Sequence, residues 1–502
     1  MTTHRPAAVI VLAAGEGTRM KSAVPKVLHT IGGRSLLGHA IAAARGAAPQ
    51  HLAVVVRHGR DLVAAHVTEV DPEALVADQD EVKGTGRAVE CGLTCLPSDL
   101  TGTILVTYGD VPLLAAETLT SLVAAHEESG SAVSVITADL PDPTGYGRVL
   151  RDGDGAVAGI VEQKDATADQ LAITEINSGI YAFDADRLRS ALARVGTDNA
   201  QGEKYLTDVL AIARGDGCRV SAHLVDDLWQ TEGVNDRVQL ARLGAELNRR
   251  TVERWMREGV TVVDPATTWI DTDVSFGRDV TIHPGTQLHG ATTIGDDVEI
   301  GPDTTLTDVE IRRGAHVIRT HGSLALIGEG ASVGPFAYLR PGTELGPDGK
   351  IGTFVETKNA VIGEGAKVPH LTYAGDARIA EGANIGAGTI FANYDGQTKR
   401  TSTVGRYTFV GSGSVLVAPV HLADGTYVGA GSTVTLDTDP GELAVARGKQ
   451  RNVEGWVARR FPGSATDEAA KAAGECAGAA EQDGIPEAAA PVDPADGGAA
   501  RA

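Results

Sequence analysis

Ile270-Asp-Thr-Asp-Val-Ser-Phe276-Gly-Arg-Asp-Val-Thr-Ile282-His-Pro-Gly-Thr-Gln-Leu288-His-Gly-Ala-Thr-Thr-Ile294-Gly-Asp-Asp-Val-Glu-Ile300-Gly-Pro-Asp-Thr-Thr-Leu306 places a large apolar residue at every sixth position. The period returns after a slip at Ile327, Val333, Leu339, Leu345 and Ile351. It returns again at Val404, Val410, Leu416, Leu422, Val428 and Val434. Six is neither the helical period nor that of a simple strand. It fits a coil of three flat faces, in which each step makes one short strand and one corner. One aliphatic side chain per step points to the axis and is buried by the next coil. Gly often follows the aliphatic, as at Gly277, Gly295 and Gly301, and permits tight corners. Residues from about 262 to 440 therefore read as a parallel β-helix of hexapeptide type.

Residues 1–235 have a different grain. Short apolar runs (7–14, 52–56, 103–106, 132–137) alternate with helical stretches (36–45, 61–67). That alternation predicts an α/β, Rossmann-like domain with a mostly parallel sheet. Residues 236–258 lack Pro and read as a long amphipathic linker helix. The β-helix domain then occupies 259–462. From 463 to 502 the chain is rich in Ala, Gly and Pro, and Ile485 and Val492 are its only large aliphatics. A disordered tail is expected there, because so little apolar surface cannot offset the ordering entropy.

The chain has 502 residues, 44 Lys plus Arg and 66 Asp plus Glu, for a net charge of −22. This balance argues against a nucleic-acid partner. Cys91, Cys95, Cys218 and Cys476 form neither a disulfide framework nor a metal spacing. No signal-like segment opens the sequence, and no apolar run is long enough to insert in a membrane. A soluble, cytoplasmic protein is expected.

Leu12-Ala-Ala-Gly-Glu-Gly-Thr-Arg-Met20 follows the first expected strand, where open α/β sheets bind ligands. Gly15 and Gly17 let backbone N–H groups approach an anion, while Arg19 and Lys26 supply charge. The segment is neither a P-loop nor a dinucleotide fingerprint. On its residues alone it reads as a nucleotide or phosphate site, with a plain tight turn as the alternative. In the β-helix, the period is interrupted around Pro369-His-Leu-Thr-Tyr373 and around Asn393-Tyr-Asp-Gly-Gln-Thr-Lys399. Such interruptions are where a solenoid carries binding loops. His370 stands among Arg340, Lys358, Tyr373, Asn384 and Lys399, a set suited to a phosphosugar. Acyl transfer to an amine needs a base, and the unperturbed pKa of histidine, ~6.5, suits that task.

Together these motifs resemble the sugar nucleotidyltransferases, whose signature is Leu-Ala-Ala-Gly-x-Gly-Thr-Arg-Met followed by Pro-Lys, here Pro25-Lys26. Joined to a hexapeptide β-helix, the chain is similar to the bacterial family of bifunctional N-acetylglucosamine-1-phosphate uridyltransferase/glucosamine-1-phosphate N-acetyltransferases. The likeness runs from residue 7 to about 460. It implies a left-handed β-helix and two active sites. In the first, Leu12, Ala13, Ala14 and Gly15 would contact uridine, Arg19 and Lys26 would hold the triphosphate, and Gln79, with Gly84 and Thr85, would read uracil. Tyr108-Gly109-Asp110 would follow, with Asp110 and Asn235 as the protein ligands of Mg²⁺. Gly147, Glu162 and Asn177 would grip the sugar. In the second, His370 would be the base, and Arg340, Lys358, Tyr373 and Asn384 would bind glucosamine-1-phosphate. Asn393, from its loop, would position or polarise the site. Asn393, Tyr394, Ala387, Ser412, Ala430 and Arg447 would serve acetyl-CoA. The resemblance further implies a homotrimer, with glucosamine-1-phosphate, acetyl-CoA and UTP as substrates, and a product that feeds peptidoglycan and other envelope polymers.

The chain departs from the family pattern at Lys83 and Arg87, where Leu and His are usual, and at Lys204, where an aromatic or apolar residue is common. Two other readings share these folds. One is a single-activity nucleotidyltransferase with a structural β-helix; the other is a non-catalytic scaffold. His370 with its surrounding cations argues against the first, and Arg19, Lys26, Asp110 and Asn235 against the second.

Overall fold

The strand Ala8–Ala13 is buried along its whole length, because its two faces feed two separate cores. Ile10 and Leu12 point into one and Val9, Val11 and Ala13 into the other. A run of apolar residues without alternation is what a parallel strand covered on both faces requires. In the computed structural model, which describes residues 4–482 except 154 and 200, this strand sits inside a twisted sheet. The path across the sheet is 220–224, 133–139, 175–184, 103–108, 8–13, 51–56 and 75–78. All neighbours on this path pair parallel except Glu175–Asp184, which is antiparallel to both of its neighbours. The hairpin Gly147–Arg151 and Val157–Val161 extends from that strand.

The hexad region is a three-sided parallel β-helix of left-handed type, built from three stacked sheets. Ile270 pairs with Leu288, Phe276 with Ile294 and Ile282 with Ile300. Each pair is 18 residues apart, so three hexads make one coil. The aliphatic positions form one continuous core. Buried threonines line the corners. Thr286 and Thr343 donate their hydroxyls to the carbonyls of His283 (2.8 Å) and Arg340 (2.7 Å), satisfying turn groups that the sheets leave unpaired.

The helix Arg237–Arg257 begins at Asp236, whose carboxylate accepts from the N–H groups of Val238 and Gln239. Its last turns close the end of the β-helix. Val252 and Trp255 pack on the core, and Trp255 meets Phe276 edge to face at 4.9 Å. Asn248 donates to the carbonyl of Thr268 (2.8 Å) and accepts from the N–H of Ile270 (2.9 Å). One side chain thus satisfies the open edge of the first coil.

Two expectations need correction. The stretch around His370 is not a loop. Val368 and Ala374 continue the core, Thr357 fills an aliphatic position of the coil before, and His370 ends the strand Lys367–His370 at a corner. Small residues at core positions hide the period from a search for large ones. The second correction concerns the tail, where a helix spans Ala465–Gln482. The Asp467 N–H donates to the Ser464 hydroxyl (3.2 Å), the Asp467 carboxylate accepts from Gly463, and Lys471 pairs with it at 2.9 Å. The Ala-rich sequence forms helix from local propensity without a large buried face. The remainder of the expected disordered tail, 483–502, lies outside the described residues. The chain divides into a compact unit ending at Val445 and a second unit from Ala446.

Candidate functional site

At the C-terminal ends of the parallel strands lie two adjoining recesses. One, of about 380 Å³, is lined by Leu12, Ala13, Ala14, Gly15, Lys26, Gln79, Gly84, Thr85, Tyr108 and Asp110. The other, of about 480 Å³, is lined by Gly147, Glu162 and Asn177. Thr85, Tyr108 and Glu203 face both. Of the first-domain residues singled out from sequence, Gly17, Arg19, Arg87, Gly109, Lys204 and Asn235 line neither. Gly109 packs beneath, its N–H bonded to the Leu12 carbonyl at 2.9 Å. Arg19 is exposed and donates to Asn235 Oδ1 at 2.7 Å.

Hydrogen bonding fixes what several of these groups can still do. Gln79 Nε2 donates to the carbonyls of Val82 (3.0 Å) and Gly84 (3.2 Å), which leaves Oε1 as an acceptor. Asn177 Oδ1 accepts from the Gly179 N–H (2.9 Å) and the Tyr181 hydroxyl (3.0 Å), which leaves its NH₂ to donate. Gly179 has φ +82°, and a Cβ there would lie 2.5 Å from the Tyr108 ring. Burial, followed by the charges of Asp165 and Asp208, holds the Glu162 carboxyl above the usual carboxylate range.

The candidate metal ligands are paired with the candidate phosphate ligands. Lys26 Nζ contacts Asp110 Oδ2, as Arg19 contacts Asn235. Among the described residues no three His, Cys, Asp or Glu side chains form a metal cluster. Asp110 and Asn235 offer one carboxylate and one amide oxygen. Oxygen donors that few in number fit Mg²⁺, which keeps waters and takes its remaining ligands from phosphates.

Sequence reasoning passed over Arg57 and His58, which line the first recess, and Tyr181, Glu203 and Tyr205, which line the second. Arg57 and His58 directly follow a parallel strand beside the first. The rule that ligands gather at the carboxyl ends of such strands was signal enough to find them.

On the β-helix, the residues of the second set lie on successive coils. Tyr373 pairs with Glu356, Asn384 with Lys367, and His370 with Thr353. His370 is exposed. Arg340 is held by Glu356 at 2.8 Å. The ammonium of Lys399 beside Lys358 pushes the Lys358 pKa down. The extra loop is tied at its root, where the Arg400 N–H donates to the Asn393 carbonyl (2.8 Å). Asn393 is buried and donates to Asp376 at 2.5 Å, and Asn359 donates to the other oxygen at 2.7 Å. Tyr394 is exposed in the same loop. Ala387, Ser412 and Ala430 rise along one corner, linked by Gly413 N–H to Ala387 O and Gly431 N–H to Ser412 O, both 2.8 Å. Arg447 belongs to the C-terminal unit.

Residues 9–171 match the MobA-like NTP transferase domain. The bifunctional protein GlmU of Kineococcus radiotolerans is 61% identical over 477 residues, covering 95% of this chain and 97% of that protein. That of Pseudarthrobacter chlorophenolicus is 62% identical over 470 residues, covering 93% and 96%. That of Mycolicibacterium vanbaalenii is 60% identical over 465 residues, covering 92% and 94%. With identity of this order along nearly its whole length, the chain belongs to the family of the bifunctional protein GlmU.

Proposed function

We propose that the chain acetylates glucosamine-1-phosphate with acetyl-CoA on its β-helix, then transfers UMP from UTP to the product in its first domain, giving UDP-N-acetylglucosamine and pyrophosphate. The observation that carries the uridyl half is the wall shared by the two recesses, Thr85, Tyr108 and Glu203, across which a nucleotide and a sugar phosphate can meet.

In that half, Leu12 to Gly15 receive the nucleoside. Gln79 Oε1 accepts from the N3–H of uracil, since its own NH₂ is engaged. Lys26 and Arg19 turn from Asp110 and Asn235 to the triphosphate oxygens. Asp110 and Asn235 would hold Mg²⁺, which when bound neutralises charge on the phosphates. Asn177 donates to a sugar oxygen, Gly147 lets the ring approach, and Glu162 accepts a sugar hydroxyl. The sugar phosphate attacks the α-phosphorus in line, and positioning with charge neutralisation carries the rate.

In the acetyl half, Arg340, Lys358, Tyr373 and Asn384 seat the phosphosugar, and Lys399 adds charge to the same patch. His370 removes a proton from the amine as it attacks the thioester. Asn393, clamped by Asp376, is set to orient the reacting groups. Ala387, Ser412, Ala430 and Tyr394 serve acetyl-CoA. A homotrimer is part of this reading. Phe336, Phe354 and Leu371 form an exposed apolar column, with the two rings stacked at 5.3 Å, and this column runs up to His370. Such a patch suits burial against a second copy. No helix among the described residues is long and apolar enough to cross a membrane. UTP and acetyl-CoA are cytoplasmic metabolites, and a cytoplasmic location belongs to the reading.

The test is mass spectrometry of a single reaction containing protein, glucosamine-1-phosphate, acetyl-CoA, UTP and Mg²⁺. UDP-N-acetylglucosamine is the expected product. With His370→Ala acetylation is lost, and uridylation of supplied N-acetylglucosamine-1-phosphate persists. A variant that keeps both activities would refute the base assignment.

A further inference from the structure

Three segments that are distant in sequence meet beside the wall shared by the two first-domain recesses. They are the loop Gln79–Lys83, the start of the helix Thr85–Thr94, and the crossing segment 203–206. Hydrogen bonds lace the third to the other two. The Lys204 N–H donates to the Lys83 carbonyl (3.0 Å), the Gly86 N–H to the Lys204 carbonyl (2.9 Å), and the Leu206 N–H to the Thr85 hydroxyl (3.1 Å). Gly84 has φ +113°, and a Cβ there would lie 2.2 Å from the Lys204 carbonyl oxygen, so only glycine allows the approach.

Charged side chains complete the junction. Arg87 reaches Asp80 at 2.6 Å and Glu90 Oε2 at 2.8 Å, and Lys204 takes the other Glu90 oxygen at 2.8 Å. Glu90 is 16% exposed and Lys204 22%, so the hub is partly withdrawn from water. The two cations are two of the three positions at which the sequence departs from its family's pattern, the third being Lys83. Here they share one carboxylate, although neither Arg87 nor Lys204 has any sequence-local reason to accompany the other.

We propose that Glu90 is a positioning residue for uridyl transfer. It joins Arg87 and Lys204 into a charged clamp that presses the segment bearing Glu203 and Tyr205 onto the nucleobase loop, so the nucleotide and sugar subsites take shape together. This rests on the assignment of the two recesses made above. Glu90 touches neither recess and acts through its partners. Asp80, Gln79 and Gly84 are set on one side of the clamp, and Glu203, Tyr205 and Leu206 on the other.

The experiment uses the full-length protein and its Glu90→Gln and Lys204→Met variants, with steady-state kinetics for UTP and for N-acetylglucosamine-1-phosphate. In both variants KM rises for both substrates by roughly three- to ten-fold, while kcat stays within about two-fold. The gap between wild type and Glu90→Gln narrows as salt is raised from about 0.05 to about 0.5 M, because salt screens the clamp. Acetyl transfer, measured in the same samples, stays at the wild-type rate and reports a folded chain. A Glu90→Gln protein with a lowered melting temperature and both KM values unchanged overturns the proposal and leaves a structural ion pair. So does a rise in one KM alone. Wild-type protein without uridyl transfer would overturn the assignment of the recesses, a result distinguishable from either.

Discussion

Glu162 illustrates how a binding group weighs on stability. Burial raises its pKa, so the folded chain holds this proton more tightly than the unfolded chain does. Its stabilising contribution is therefore full below the ordinary glutamate range and is lost as pH rises through the raised value, leaving a cost at neutral pH. Glu162→Gln is expected to raise stability at pH 7, with little change at pH 4. Thermal unfolding at the two pH values checks this. The same variant should bind the sugar phosphate less tightly, seen as a raised KM. Gly84→Ala acts in the opposite sense. Its methyl would collide with the Lys204 carbonyl, displace the segment over both recesses and cut uridyl transfer by at least about ten-fold, with acetyl transfer intact. Little of this was legible in the sequence. Gln79 and Glu162 were placed by motif, but which of their atoms are engaged depends on partners folded beside them. The pairing of Lys26 with Asp110 joins residues 84 apart, and that of Glu90 with Lys204 joins residues 114 apart.

The linker helix shows the same limit at the scale of an element. Its length and polarity pattern were plain from 236–258, and Asp236 marks its start. Its role as the end-plate of the β-helix was not, because Asn248 and Trp255 become partners of Thr268, Ile270 and Phe276 only after the first coil forms. Trp255→Ala should destabilise the β-helix by about 2 kcal/mol through the partial cavity it leaves. Asn248→Ala should cost about 1–3 kcal/mol, because two buried backbone groups lose their partner. Denaturant unfolding monitored with acetyl transfer would register both, and unchanged midpoints would contradict the capping role. The hexads themselves were readable because each coil contacts chiefly its neighbours, so the sequence period is the structural period. Where Thr357, Ala374 and Gly322 stand in aliphatic positions, the period was hidden although the coil is unbroken.

For the whole molecule, the two chemistries sit on separate elements and call on different groups. Removing divalent metal with a chelator should stop uridyl transfer and leave acetyl transfer at its full rate, since the roles proposed for His370 and the cations around it call on no metal. Persisting uridyl transfer after exhaustive chelation would count against the metal role of that pair. Light scattering on the intact chain should return three times the 51.8 kDa of one chain, and replacing Phe336 and Phe354 with Ser should lower that mass.

The spacing of the coils has a last consequence. Ile282 and Ile300 are 18 residues apart, but Ile379 and Val404, which occupy equivalent neighbouring positions, are 25 apart. The additional residues leave at one corner, between Phe391 and Val404, and the next coil stacks in register as if they were absent. The scaffold thus carries the tip of that stretch as an insert outside its register. A cassette of different length or composition could be grafted between Tyr394 and Lys399 to recognise another acyl carrier, with Asn393, Arg400 and the stack beneath left in place.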